Sequence, residues 1–89
     1  DVLYTDTWVS MGKEDEAADR LRILAPFQIN DELLSLANDG AIVQHCLPAY
    51  RDKEITESVL EARENEIFDQ AENRLHAQKA VMAALAEKS

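Results

Sequence analysis

Val2-Leu3-Tyr4 is an apolar, β-prone run that gives way to Thr5-Asp6-Thr7, the pattern of a short strand ending in a polar loop. The loop continues through Trp8-Val9-Ser10-Met11-Gly12, where Gly12 admits backbone angles closed to other residues. From Lys13 to Leu24 the period turns helical. Ala17, Leu21 and Leu24 recur at helix spacing, and Glu14, Asp15 and Glu16 fall in the first turn, where carboxylates favour the positive end of the helix dipole. Pro26 stops that helix. Asn30 is placed to cap a short helix from Asp31 to Ala37, and Asn38-Asp39-Gly40 reads as a turn. Ala41 to Cys46 reads as a buried strand that ends at Leu47-Pro48, and Thr56 as the cap of a helical turn from Glu57 to Ala62. Ile67-Phe68 reads as a minimal third strand. The clearest helix runs from Ala71 to Lys88, with Leu75, Met82 and Leu85 among its apolar positions and strong helix formers near its end.

This order of elements predicts an α/β fold: part of a doubly wound, Rossmann-like parallel sheet of about three strands, with flanking helices and a long C-terminal helix. Ligands of such sheets gather at the carboxyl ends of the strands. Three segments are predicted to fall there: the loop from Asp6 to Gly12, the stretch from His45 to Arg51, and the start of the last helix.

Composition narrows the function classes. With 89 residues the chain is limited to one small domain, and 46% hydrophobic with 30% charged residues is the balance of a folded protein. A formal net charge of −9 argues against nucleic acid and against anionic membranes as partners, since both call for clustered Lys and Arg. No apolar run approaches the roughly 20 residues that span a bilayer. One cysteine makes no internal disulfide, which favours the cytoplasm as compartment. The chain begins at Asp1 and enters a strand directly, the expectation being a piece of a longer protein.

The residues that can carry chemistry are few. Cys46 follows His45, but neighbours in a strand point to opposite faces, so the two do not form a nucleophilic pair while the strand persists. A single cysteine and two separated histidines also give no zinc-ligand spacing. Buried filler and a ligand contact remain for Cys46. Asp6, at a strand end, can hold an ammonium group or cap its own loop. Ser10-Met11-Gly12 can present backbone N–H groups to a carboxylate or serve as an ordinary helix cap. Arg74, in the first turn of a helix starting at Ala71, gains nothing from the helix dipole, and either serves an anionic or carbonyl oxygen or is solvated surface.

Taken in order, the segments TDTWVSMG, HCLPAYR and FDQAENRLHAQKA resemble the carboxyl-terminal part of ornithine carbamoyltransferases, over essentially the whole chain. The resemblance implies that residues 1–89 are the C-terminal part of the ornithine-binding domain, with the carbamoyl-phosphate-binding domain absent. It implies transfer of the carbamoyl group of carbamoyl phosphate to the δ-amine of ornithine, giving citrulline and phosphate in arginine metabolism, with no metal or organic cofactor. Asp6 would hold the α-amino group, and Ser10 and the Met11 backbone the α-carboxylate region. Cys46 would lie beside the reacting amine, the Leu47 carbonyl would orient it, and Arg74 would contact the carbonyl oxygen of carbamoyl phosphate. The family's Ser-x-Arg-Thr and His-Pro-x-Gln segments are not in this sequence, so the chain alone is expected to be inactive. The parent is expected to be a homotrimer or higher, and the fragment a homodimer. The alternatives are a non-catalytic amino-acid-binding or interaction module that keeps the fold, and a carbamoyltransferase for a related amine.

Overall fold

Two four-residue strands, β1 (Val2–Thr5) and β2 (Ile42–His45), pair in parallel with Val2 opposite Ile42 and Thr5 opposite His45. The structure is a computed structural model and describes residues 1–9 and 14–88. Between the strands lie α1 (Ala17–Leu24) and α2 (Asp31–Leu36), and after them α3 (Glu57–Ala62) and α4 (Glu64–Glu87). Single turns of 3₁₀ helix, Glu14–Glu16 and Ala25–Phe27, precede and follow α1, with Pro26 in the second. The mixed α/β architecture with a parallel sheet and a long last helix is the one the sequence predicts.

Side chains alternate across the sheet as a strand requires. On β2, Val43 and His45 are buried while Ile42 and Gln44 are not; on β1, Val2 and Tyr4 are exposed while Leu3 and Thr5 are partly covered. The covered face meets a core of Ile29, Val43, Ile55, Val59, Leu60 and Ile67, flanked by Leu3, Leu34, Leu47 and Ala49. Both predicted caps form. Asn30 Oδ1 accepts the Leu33 N–H at 2.8 Å and Thr56 Oγ1 accepts the Val59 N–H at 3.3 Å, each worth about 1 kcal/mol to its helix.

The predicted third strand does not form, and the sheet has two strands among the described residues. Ile67 and Phe68 lie within α4, Ile67 fully buried and Phe68 53% exposed. Two adjacent apolar residues fit neither period, and the helix-forming residues around them, with Glu64 and Glu66 in the first turn, carry the helix straight through. α4 therefore starts at Glu64 and not at Ala71, which puts Arg74 almost three turns inside it. The dipole argument about Arg74 fails with that correction.

α4 takes the place beside β2 that a third strand would have filled. The Val43 N–H donates to Glu66 Oε2 at 2.9 Å and the His45 N–H to Gln70 Oε1 at 3.0 Å, so two side chains one helical turn apart satisfy the outward N–H groups of an edge strand. Arg63, the one residue between α3 and α4, donates to the Ala41 carbonyl at 3.1 Å and to Glu66 Oε1 at 2.9 Å. Beyond Gln70 every described α4 side chain is exposed, and the helix runs on past the core.

Ile67 is thus a core residue of a helix, and Ile67→Ala is expected to lower the unfolding free energy by about 2–4 kcal/mol. Leu75→Ala, on the exposed part of α4, is expected to change it by no more than about 0.5 kcal/mol at concentrations where the chain is a monomer. Urea unfolding followed by circular dichroism reads both.

Candidate functional site

The parallel register sets Thr5 against His45, so the next residue on each strand, Asp6 and Cys46, leaves the sheet side by side at its carboxyl end. Cys46 Sγ donates to Asp6 Oδ1 at 2.9 Å, and the Thr7 N–H donates to the same oxygen at 2.6 Å. Oδ2 accepts no hydrogen bond among the described residues. Cys46 is exposed, which removes the buried-filler reading. Asp6 does cap its own loop through Thr7, so its two readings are not exclusive: one oxygen serves the loop and the thiol, and the other accepts no bond from the described residues.

The pair shifts both protons in opposite directions. The thiol's hydrogen bond, helped by the Thr7 N–H, holds the Asp6 carboxyl below its ordinary value. The Asp6 carboxylate, with some loss of solvent, pushes the Cys46 thiol above its ordinary value. Cys46 is therefore a neutral thiol over the whole neutral range, suited to contact and not to covalent attack.

His45 points to the other face and is fully buried, as the strand alternation predicts. Its Nδ1 accepts the Leu47 N–H at 2.8 Å, so the ring proton sits on Nε2, 2.6 Å from Glu54 Oε1. The same Glu54 oxygen accepts the Tyr50 N–H at 2.9 Å, and Oε2 is buried with no partner among the described residues. Leu47 adopts a left-handed conformation, φ 58°, at a cost of roughly 1–3 kcal/mol for a side-chain-bearing residue, and its bond to Pro48 is cis. Sequence reasoning missed this pair. The available signal was a histidine on the same face as Val43, a buried imidazole that needs a partner.

Arg74 is exposed on α4. Glu66 meets residue 43 and Gln70 meets residue 45, and Arg74 is the next step of four along the helix. Ser10 and Met11 lie outside the described residues. A separate cavity of about 270 Å³ is bordered by Trp8, Val9, Leu21, Tyr50 and Glu54 among others. Neither Asp6 nor Cys46 lines it, and its walls are mostly apolar, with Lys53 and Glu54 as their charged members.

A parallel α/β sheet that presents a carboxylate and a thiol together at its strand ends belongs to the class of small-molecule-binding α/β domains. More particularly, residues 1–85 match the family model described as aspartate/ornithine carbamoyltransferase, Asp/Orn binding domain, and the chain belongs to that family. An ornithine carbamoyltransferase of Methanosphaera stadtmanae is 65% identical over 82 residues, 92% of this chain and 27% of that protein. One of Thermosynechococcus vestitus is 63% identical over 83 residues, 93% of this chain and 27% of that protein. Among solved structures, the anabolic ornithine carbamoyltransferase of Campylobacter jejuni superposes with a TM-score of 0.92 at 43% identity, covering 100% of this chain and 29% of that one. The chain thus spans about a quarter of the length of the relatives it matches.

Asp6→Asn removes the negative partner of the thiol. Alkylation of Cys46 by iodoacetamide, followed against pH, is expected to show a midpoint above that of a free cysteine in the unaltered chain. In Asp6→Asn the midpoint is expected to fall toward the free value, with faster reaction near neutral pH.

Proposed function

We propose that this chain is the carboxyl-terminal part of the ornithine-binding domain of an ornithine carbamoyltransferase. The parent enzyme transfers the carbamoyl group of carbamoyl phosphate to the δ-amine of ornithine, releasing citrulline and phosphate, within the arginine metabolism of the cytoplasm. The observation that carries the reading is the meeting of Asp6 and Cys46 at the strand ends, where Asp6 Oδ2 accepts no bond from the described residues. The chain's match to the Asp/Orn binding domain supports ornithine as the ligand.

In this reading Asp6 holds the α-amino group by a charge-assisted hydrogen bond, with Ser10 and the Met11 backbone at the α-carboxylate. Cys46 and the Leu47 carbonyl line up the neutral δ-amine for attack on the carbamoyl carbon, a positioning effect. Arg74 stabilises the negative charge that grows on the carbamoyl oxygen. Phosphate is held by the other domain. The exposed apolar side chains of outer α4, Leu75, Val81 and Met82, cover against that domain in the parent, a homotrimer or larger, and against a second copy in the isolated chain.

Calorimetric titration with ornithine is expected to give saturable binding, weakened about 10-fold to 100-fold by Asp6→Ala, the loss of one charged hydrogen bond. The chain alone is expected to form no citrulline from ornithine and carbamoyl phosphate. Absence of binding overturns the reading of the site, and citrulline formation overturns the division of labour. Light scattering is expected to show a mass rising above the 10.0 kDa of one chain as concentration increases. A constant monomer overturns the pairing.

A further inference from the structure

Behind the exposed face, one hydrogen-bonded chain encloses the turn that carries Cys46. The Leu47 N–H donates to His45 Nδ1, His45 Nε2–H donates to Glu54 Oε1, and the Tyr50 N–H donates to that same oxygen. Both His45 and Glu54 are fully buried. The two backbone groups they engage lie on either side of the segment Leu47–Tyr50, so the pair ties its ends together from inside.

A purely structural account explains this poorly. Taking an imidazole and a carboxylate out of water costs free energy that a pair of apolar side chains of the same volume would not incur. Glu54 Oε2, moreover, is buried with no hydrogen-bond partner among the described residues. What the pair does uniquely is accept the N–H of a leucine in a left-handed conformation, which that residue does not hold unaided. Register brings Cys46 to Asp6, and Cys46 is joined to that leucine, so a shift of the turn would carry the thiol with it.

We infer that the buried His45–Glu54 pair is a positioning device: it fixes Leu47 in its left-handed conformation and thereby holds Cys46 Sγ against Asp6 and aims the Leu47 carbonyl. The inference rests on the reading of Asp6 and Cys46 as substrate contacts. His45 and Glu54 touch no substrate and act through the turn. The titratable groups near the thiol are Asp6 and Tyr4 on its own face, with His45 and Glu54 behind the turn.

Two measurements on the chain test this. Nitrogen-15 NMR of the imidazole is expected to show a protonated Nε2 and an unprotonated Nδ1 for His45. The opposite tautomer overturns the proposal, and this result needs no variant. Then Cys46 alkylation is compared at about pH 8. His45→Leu and Glu54→Leu are expected to free the thiol from Asp6 and to raise the rate several-fold. Glu54→Gln, whose amide oxygen can accept from both His45 and Tyr50, is expected to keep the unaltered rate. Leucine variants with native circular dichroism and an unaltered rate overturn the proposal; if they do not fold, the tautomer together with a Glu54→Gln rate that departs from the unaltered one decides against it. A chain that binds no ornithine overturns the functional reading instead, and leaves tautomer and thiol rates as they are.

Discussion

The Glu54 carboxylate, at zero exposure, is the point on which the site side of the molecule depends. A buried carboxylate is tolerated only with strong partners, and Glu54 has two on one oxygen: the His45 ring and the Tyr50 backbone. Its backbone carbonyl accepts from Ile29, whose own carbonyl accepts from Thr56. Glu54, at the entry to α3, therefore joins three other stretches: the end of β2, the turn after it, and the segment leading into α2. The next residue, Ile55, is fully buried in the core, so polar and apolar constraints converge within two positions.

The second constraint is the edge of β2. Parallel sheets are normally covered on both faces and continued by neighbours, and two short strands alone are marginal. One edge of β2 is paired with β1 and the other is closed by Glu66 and Gln70 of α4. A helix can do this because one turn of four residues nearly matches the spacing of alternate residues in a strand. Ile67, between the two polar contacts, turns into the core and fastens the same helix by apolar burial.

This arrangement explains what was legible in the sequence and what was not. Asn30 and Thr56 were readable because a cap depends on the residue itself and on the three that follow. The register-dependent pairing of Asp6 with Cys46 was half legible: strand ends predicted their common neighbourhood, but not that the thiol would bond the carboxylate. The third strand was misread because Ile67 is buried by an edge-capping helix, and nothing local distinguishes an apolar pair in a short strand from one in a helix. Arg74 was placed in a first turn for the same reason. The His45–Glu54 bond spans nine positions and a turn with two left-handed residues, Leu47 and Asp52, neither of them glycine, and that geometry has no local signature.

The two constraints act on one strand from different sides, and together they define how the site is built. Glu54 fixes the turn after His45, and with it Cys46; Glu66 and Gln70 fix the helix beside β2. His45 belongs to both sets, its ring bonded to Glu54 and its backbone N–H to Gln70. A displacement of His45 would thus move the thiol and the Gln70 contact at once, whereas a displacement of Asp6 would move only the thiol's partner. Neighbouring residues of one strand accordingly do different work. Cys46 faces outward and makes contact, while His45 faces inward and sets where that contact occurs.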